Sequence, residues 1–427
     1  MPQNDEVELE ITNVAHGGVF VARHEGRVLF VSDTLPGERV QAYITDRSHK
    51  SFWRAETRAV LRQAPERVDH VWPAAALERQ PGMRAGGAEF GHIALGHQRE
   101  LKRRVLVDSL QRMGKLSEQR ASELCSAVEP ALDESVDGRG WRTRVRLHVA
   151  SDGRIGPFAS RTHTVIPVDD YPLATPAVRG AIPFADRYSN AQSLDVIATS
   201  TGEVHVLVNE EHSTSRASGG HPGQIPLRER VGQREFRVDA RGFWQIHRQA
   251  PATLTAAVQD AVDSDLFDPR AANLDLYGGV GLFAAALGDL FGTTTRITTV
   301  EANRNATDDA AENLSEWIGA TALTARVDSF LRQLNGSASA MERARLRSAT
   351  VILDPPRSGA GREVVESLAL IDPAQIIYVA CDPVALSRDI ATFADHGFVP
   401  QTLRAFDLFP HTHHLETVVR LVRPERG

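Results

Sequence analysis

Residues 273–283, NLDLYGGVGLF, join a short apolar run to a glycine-rich turn and then to a helical start. Glycine lets the backbone approach a ligand closely, where a Cβ atom would collide. Glu301 ends the next apolar run, 20 residues after Gly281, at a position where an acidic residue can bind ribose hydroxyls. This stretch therefore predicts a strand, a ligand-binding turn and a helix.

The glycine pattern also bears on the class of ligand. Ala284 stands where a dinucleotide-binding turn has its third glycine. A turn without that glycine fits an adenosyl ligand that lacks phosphates, such as S-adenosylmethionine. Nicotinamide-nucleotide binding and a purely structural turn are the alternatives on these residues alone.

The last 180 residues repeat this alternation of strand and helix. The apolar, strand-like runs lie at 273–277, 296–301, 322–327, 350–354, 376–381, 398–408 and 415–422. Strands that alternate with helices are typical of a doubly wound, mostly parallel sheet, which binds its ligands at the carboxyl edge. We therefore predict a C-terminal Rossmann-like α/β domain.

Two further domains precede it. Residues 5–62 contain five short strand-like runs separated by turn signals such as Gly17-Gly18 and Pro36-Gly37, which fits an OB-type barrel or an uncommitted small barrel. Residues 141–243 indicate a mixed α/β domain, and residues 95–127 look helical. The predicted boundaries are 1–64 for the barrel, 65–94 with 128–240 for the central domain, and 95–127 with 241–427 for the Rossmann-like domain.

Composition bears on the cellular location of the protein and on the class of its binding partner. The N-terminal residues are acidic, unlike a signal peptide, and no apolar run approaches the ~18 residues of a membrane span. Two cysteines cannot build a disulfide framework, so we expect a cytoplasmic protein. The net charge is −7, yet basic residues cluster at 47–62, 99–104 and 139–146, which predicts an RNA-like polyanion as partner.

Three further residues are candidates for chemistry at the carboxyl edge. Cys381 follows the run at 376–380 and precedes a helix, whose N-terminal dipole favours a thiolate; a small buried hydrophobe is the alternative. Asp354 begins DPPRSG at 354–359, whose prolines stiffen the loop beside the pocket. Asp328, after the third strand, would face an adenine or lie on the surface.

Together these segments resemble the S-adenosylmethionine-dependent RNA (uracil-5-)methyltransferases of the TrmA/RumA type, many of which carry an N-terminal TRAM domain. The resemblance covers nearly the whole chain. It rests on the order of six motifs, which are LPGE at 35–38, FWQ at 243–245, LDLYGGVGLF at 274–283, DPPRSG at 354–359, YVACDP at 378–383 and FPHTHHLE at 409–416. It implies methyl transfer to C5 of a uridine in tRNA or rRNA.

The resemblance assigns roles to individual residues. Cys381 would be the nucleophile that adds to uracil C6, and Glu416 the base that removes the C5 proton. Its family pattern, with the turn and strand-end positions above, gives a predicted cofactor site of Gln245, Tyr277, Gly279, Gly281, Glu301, Asp328 and Asp354. A cytosine-C5 methyltransferase and an RNA-binding protein with a decayed active site are the alternatives.

Some positions depart from the family pattern. Ala85 and Ala88 replace the paired cysteines of an iron–sulfur site, and Tyr171 lies near where a later cysteine is expected. With two cysteines in the chain, we expect no iron–sulfur cluster. We also expect no metal at the histidines of 411–414, no membrane, no obligate protein partner and a monomer.

Four departures bear on the site itself. Gly278 replaces a usual cysteine, Leu282 a polar residue, and His247 an asparagine. Asp382 follows the nucleophile, where the family has asparagine. An added carboxylate would raise the pKa of the cysteine, whereas a carboxylate that caps the following helix would do so less. Both interpretations of Asp382 stay open on the sequence.

Overall fold

The computed structural model describes residues 6–160, 162–210 and 224–424. The N-terminal part is a closed barrel in which neighbouring strands follow the order β1-β2-β3-β5-β4. Its strands are β1 (Glu6–Ala15), β2 (Val19–His24), β3 (Arg27–Ser32), β4 (Arg39–Asp46) and β5 (Phe52–Arg62). Gly18 and Gly26 turn the first two hairpins with positive φ angles, and Phe20 and Leu29 fill the interior. The predicted OB-type barrel is confirmed.

Helix α1 (Leu95–Arg112) links the barrel to the large C-terminal sheet. Leu101 packs in the barrel core, whereas Leu106 and Leu110 pack in the core of the large sheet. Helix α2 (Glu118–Leu124) and strand β6 (Val128–Pro130) follow. One helix thus contributes to both cores.

The central part is a four-stranded antiparallel sheet in the order β10-β9-β7-β8. Its elements are β7 (Arg144–Val149), β8 (Ile155–Gly156), α3 (Pro176–Ala181), β9 (Ala191–Ala198) and β10 (Val204–Glu210). Trp72, next to a short 3-10 helix at Pro73–Ala75, packs in this core with Leu147 and Leu194. A hairpin of β11 (Pro226–Val231) and β12 (Arg234–Asp239) follows.

The C-terminal part is an eight-stranded sheet in the order β15-β14-β13-β16-β17-β19-β18-β6. Its elements in chain order are α4 (Ala250–Ala261), β13 (Asn273–Leu276), α5 (Leu282–Phe291), β14 (Ile297–Glu301), α6 (Arg304–Asn313), β15 (Ala320–Thr324), α7 (Val327–Ser337), α8 (Ala340–Arg347), β16 (Thr350–Leu353), α9 (Arg362–Ile371), β17 (Gln375–Ala380), α10 (Pro383–Asp395), β18 (Val399–Asp407) and β19 (Glu416–Val422). The predicted Rossmann-like domain is confirmed.

The strand order places the site. Strands β13 to β17 are parallel, and β19 runs antiparallel between β17 and β18. Strands β13, β16 and β17 are buried along their full lengths, as expected for parallel strands with helices on both faces. The strand order reverses between β13 and β16, and ligands of doubly wound sheets bind at such a point.

The domain boundaries stay a prediction. Two sets of contacts favour boundaries that differ from the predicted ones. Strand β6 pairs with β18 at the edge of the large sheet. Leu227 and Phe236 of the β11–β12 hairpin share a core with Trp244 and Phe283 rather than with the central sheet. These contacts support grouping 128–130 and 226–239 with the Rossmann-like domain.

Across residues 6–160, 162–210 and 224–424, the helices are too short or too polar for any of them to cross a bilayer.

Candidate active site

Four strands of the large sheet deliver predicted site residues to one edge. Tyr277 follows β13, Asp354 follows β16 and Cys381 follows β17, and register pairs Leu276 with Leu353 and Leu353 with Tyr378. Glu416 starts the antiparallel strand β19 at the same level, because its neighbour Thr417 pairs with Ala380. The Thr417 hydroxyl donates to the Ala380 carbonyl at 3.0 Å. The nucleophile and base candidates therefore stand at adjoining strand ends.

The glycine-rich turn is shaped by its backbone. Tyr277, Gly279 and Gly281 have φ angles of 62°, 53° and 88°, and Gly281 is the N-cap of α5. No atom lies within 4 Å of an ideal Cβ at Gly279, so the backbone there is open to a ligand. A Cβ at Gly278 would lie 1.9 Å from Thr299 Oγ1. The replacement of cysteine by glycine at 278 thus fits the local packing.

Glu301 is fixed against this turn. One of its carboxylate oxygens accepts from the Gly279 N–H at 3.3 Å, and the other accepts from the Asn303 N–H at 2.7 Å. A cavity of about 230 Å³ lies beside the turn, with Phe243, Val280 and Asn303 in its wall. This carboxylate is thereby held where the sequence predicts a ribose contact.

Asp275 is a site residue that the sequence analysis left without a role. It is fully buried, and its Oδ2 accepts from the Ala284 N–H at 3.2 Å and from Thr299 Oγ1 at 3.1 Å. Its Oδ1 has no hydrogen-bond partner within the described part of the chain. Burial, with a smaller contribution from Glu301, raises the pKa of Asp275 to about 6. A carboxylate inside an otherwise apolar strand was the available sequence signal.

Asp354, which follows β16, is a second acid near the nucleophile candidate. Its backbone N–H donates to the Leu276 carbonyl at 3.2 Å, which ties the DPPRSG loop to β13. Burial, and then the charge of Asp275, raises the pKa of Asp354 to about 7. Asp354 can therefore exist in either protonation state near neutral pH.

Cys381 is partly exposed and lies among acids. Burial raises the pKa of the Cys381 thiol to about 12; Glu416 and Asp354 add to this rise, and Arg357 opposes it. The helix N-terminus was expected to favour a thiolate, whereas burial and the two carboxylates favour the protonated thiol.

Glu416 is buried, with 6% of its surface exposed. Burial raises the pKa of Glu416 well above its ordinary value, Asp354 adds to the rise, and Arg357 opposes it. A raised pKa was expected for a general base in a desolvated pocket. The same cation, Arg357, thus favours the charged forms of both Cys381 and Glu416.

Asp382 caps helix α10. Its Oδ1 accepts from the backbone N–H groups of Val384 and Ala385 at 3.0 and 2.8 Å. Its Oδ2 lies 2.9 Å from Nε2 of His16. The capping interpretation is therefore correct, and Asp382 raises the pKa of Cys381 less than Glu416 or Asp354 does.

Two of the predicted cofactor residues, Asp328 and Gln245, do not lie at the strand ends described above. Asp328 sits at the start of α7, where it forms a 2.9 Å ion pair with Arg326. Burial raises the pKa of Tyr277 to about 12, and the charge of Asp328 adds to this rise. Gln245 lines a different cavity of about 190 Å³, and none of the other predicted site residues lines it.

The remaining departures from the family pattern have structural explanations. His247 is buried, stacks on Trp141 at 5.6 Å, and accepts from the Gln249 N–H through Nδ1. The His411 ring lies 3.2 Å from Gln98 Nε2 through Nδ1 and 2.7 Å from the Asp137 carbonyl oxygen through Nε2. These imidazoles are bound by protein groups.

Alanines and aromatic rings occupy the region of the family's iron–sulfur motif. Ala85 and Ala88 are buried in the central core, and the Tyr171 and Trp72 rings pack there at 4.8 Å. None of these side chains offers a thiolate, so the residues present do not fit an iron–sulfur cluster.

Some residues of the basic clusters bind protein groups. Lys102 is buried, and its Nζ donates to Asp407 at 2.5 Å and to the Phe409 carbonyl at 3.1 Å, which anchors the loop before Glu416. In the third cluster, Arg146 pairs with Asp195. Lys102 thus serves a structural role, whereas an RNA path along the basic clusters stays a prediction.

The barrel carries arginines next to aromatic rings. Arg27 and Arg47 lie over the Trp53 ring at 4.9 and 5.0 Å, and Arg54 lies over Phe52 at 5.5 Å. Cationic side chains interleaved with aromatic rings are typical of surfaces that bind single-stranded nucleic acid.

Comparisons with known proteins agree with this arrangement. Residues 252–424 match the family model described as tRNA (Uracil-5-)-methyltransferase, and residues 3–52 match the TRAM domain. An uncharacterised RNA methyltransferase of Streptomyces avermitilis is 35% identical, with 99% of each chain covered. The 23S rRNA (uracil(1939)-C(5))-methyltransferase RlmD of Halomonas elongata is 29% identical, covering 98% of this chain and 90% of that protein.

A solved structure supports the fold independently. The Pyrococcus abyssi tRNA (uracil-54, C5)-methyltransferase in complex with S-adenosyl-L-homocysteine superposes with a TM-score of 0.68 at 20% identity. The superposition covers 97% of this chain and 99% of that one. All three parts of the fold are thus shared with that structure.

Proposed function

This chain belongs to the S-adenosylmethionine-dependent RNA (uracil-5-)methyltransferase family with an N-terminal TRAM domain, and on that premise we propose that it methylates C5 of a uridine in tRNA or rRNA. The observation that carries the proposal is the convergence of Cys381, Glu416 and the glycine-rich turn at one sheet edge. A nucleophile, a base and a cofactor pocket in one place are what the reaction requires.

The turn fits the cofactor on several counts. Gly279 leaves its backbone open, Glu301 is held against the turn, and Asp275 Oδ1 is buried without a partner in the described part of the chain. When bound, S-adenosylmethionine supplies an electrophilic methyl group. Leu282, where the family pattern has a polar residue, is buried and apolar.

Cys381 provides the nucleophile in this proposal. Its thiol loses a proton to solvent, which it reaches because it is partly exposed, and the sulfur adds to uracil C6. The new S–C6 bond places negative charge on the C5–C4–O4 enolate, so C5 becomes nucleophilic and would take the methyl group of S-adenosylmethionine, with S-adenosylhomocysteine as the leaving group.

Glu416 completes the cycle. Its carboxylate removes the C5 proton, the C5–C6 double bond reforms, and the S–C6 bond breaks to release Cys381. Its position on β19, beside the end of β17, places the two groups on adjoining strands. The Gln245, Tyr277, Glu301, Asp328 and Asp354 assignments to the cofactor are part of the same proposal.

The RNA is held, we propose, by the barrel face around Trp53, and the target base flips into the pocket. The proposal extends to a cytoplasmic enzyme that works as a monomer. Size-exclusion chromatography with light scattering should then give the mass of one 46.7 kDa chain.

Nucleoside analysis tests the activity. We expect purified protein, S-adenosylmethionine with a labelled methyl group and RNA from a deletion strain to yield labelled 5-methyluridine. The Cys381→Ala variant should lose about 10⁴-fold or more in rate, because no other group can add to C6. Cys125→Ala is the matched control, since that cysteine is buried in the sheet core away from the edge. Label in 5-methylcytidine, or none with the native protein, would contradict the proposal.

A further inference from the structure

The barrel reaches the nucleophile loop directly. The β1–β2 hairpin places His16 Nε2 at 2.9 Å from Asp382 Oδ2, across 366 positions of sequence. Asp382 is the residue after Cys381 and the N-cap of α10. An ionised carboxylate only accepts hydrogen bonds, so His16 is the donor.

The hairpin is seated closely, so this contact is more than a chance approach of two surface groups. An ideal Cβ at Gly18 would lie 2.9 Å from Nδ1 of His413, in the loop that leads to Glu416. His413 also pairs with Glu89 at 3.5 Å, and the Phe90 N–H donates to the His411 carbonyl. The barrel, its linker and the loop before the base therefore form one packed unit.

Both oxygens of Asp382 are occupied by different elements. Oδ1 accepts from the first turn of α10, and Oδ2 accepts from His16. Burial alone would raise the pKa of Asp382, but the His16 hydrogen bond and the Ala385 N–H outweigh it and hold this pKa below its ordinary value. The carboxylate is thus kept ionised and fixed in one orientation.

We propose that His16 is a positioning residue of the methyl-transfer site, by which the RNA-binding barrel holds Asp382 and controls the Cys381 thiol. With His16 bound, the Asp382 charge is compensated and turned towards the helix and the barrel. Without His16, the charge beside the sulfur is less compensated, and the thiol deprotonates less readily. The other charged groups that act on Cys381 are Glu416, Asp354 and Arg357.

This inference rests on the proposed function, because it concerns the nucleophile of that reaction. Its test is separate, because iodoacetamide alkylation of Cys381 requires neither RNA nor S-adenosylmethionine. Cys125 is fully buried whereas Cys381 is partly exposed, so alkylation of the native protein reports on Cys381. The Cys381→Ser variant gives the background.

The experiment compares native protein, His16→Ala, Asp382→Asn and the double variant at pH 7.5. We expect His16→Ala to slow alkylation about three- to tenfold, because a rise of one unit in thiol pKa removes nine-tenths of the thiolate. In the Asp382→Asn background the effect of His16→Ala should shrink below about twofold, because the compensated charge is gone. His24→Ala is the matched control, since His24 lies in the same hairpin and pairs with Glu25 of the barrel itself.

A second measurement separates positioning from RNA contact. His16→Ala should lower kcat for methylation about tenfold while the Kd for RNA, measured by filter binding without cofactor, changes less than about twofold. Thermal unfolding within about 2 °C of the native Tm confirms that the variant folds. Unchanged alkylation in His16→Ala, an equal loss in both Asp382 backgrounds, or a loss confined to RNA affinity would each overturn the proposal. Altered alkylation without any methylation by native protein would overturn the proposed function alone.

Discussion

The turn at 277–281 and the turn at 381–383 end two strands of the same sheet, yet they are built on different principles. The first is made of backbone, with three positive φ angles, an open Gly279 and no room for a side chain at Gly278. The second is made of side-chain charges, with Cys381 set among Glu416, Asp354, Arg357 and a capped Asp382.

This difference separates binding from chemistry. A backbone-built turn holds a ligand in fixed geometry. A charge-built turn sets the reactivity of a thiol through groups from several distant segments, because the balance of burial and charge decides the pKa. Substitutions that add bulk to the first turn are expected to impair ligand binding. Substitutions that change charge near the second turn are expected to impair catalysis.

The largest effect is expected in the charge-built turn. We expect Glu416→Gln to lower the rate of methylated-product release about 10²- to 10⁴-fold, because no base removes the C5 proton. Alkylation of Cys381 should not slow, because a neutral amide adds no negative charge beside the sulfur. Single-turnover kinetics and iodoacetamide labelling measure the two quantities.

The control for this variant is an acid elsewhere in the same sheet. Glu129→Gln changes a carboxylate on β6 that pairs with Arg404 at 2.8 Å, and β6 lies three strands from β17, which ends at Cys381. It should keep product release within about twofold, since exposed ion pairs contribute little. Normal product release by Glu416→Gln would show that the charged groups at the second turn do not control the chemistry.

A smaller effect is expected in the backbone-built turn. We expect Gly278→Ala to weaken S-adenosylhomocysteine binding about tenfold or more and to destabilise the protein by about 1–3 kcal/mol, because the new Cβ would meet Thr299 Oγ1 at 1.9 Å. Isothermal calorimetry and chemical unfolding measure these changes.

Gly336→Ala is the control for a glycine substitution. It lies inside helix α7, and no atom lies within 4 Å of its ideal Cβ, so it should be neutral or stabilise by about 0.5–1 kcal/mol. Equal binding by the Gly278 and Gly336 variants would show that the backbone of the turn is not the source of its affinity.

The backbone-built region was the more predictable from sequence. Strand, turn and helix at 273–283 follow from local patterns of apolar residues and glycine, and the register of parallel strands then brings Tyr277, Glu301, Asp354 and Cys381 to one edge. The barrel was predictable for the same reason, because its turns are marked in the chain.

The charge-built region was less predictable because its contacts are distant in sequence. Lys102 looked like a surface cation until its partner Asp407, 305 positions later, was in place. The rise in the pKa of Cys381 comes mainly from burial and then from Glu416, and both are tertiary properties that the sequence does not show. On the sequence alone, Asp382 could either cap helix α10 or raise the pKa of Cys381 as an uncompensated charge. Its hydrogen bonds in the structure identify it as the cap.

The central claim is that Cys381 forms a covalent bond to uracil C6 during methyl transfer. RNA containing 5-fluorouridine tests it most directly, because fluorine at C5 cannot leave as a proton and the adduct cannot break down. With S-adenosylmethionine present, mass spectrometry of protease digests should find the methylated nucleotide attached to the peptide that contains Cys381. An adduct on another residue, or none with RNA that the native protein methylates when it carries uridine, would contradict the account.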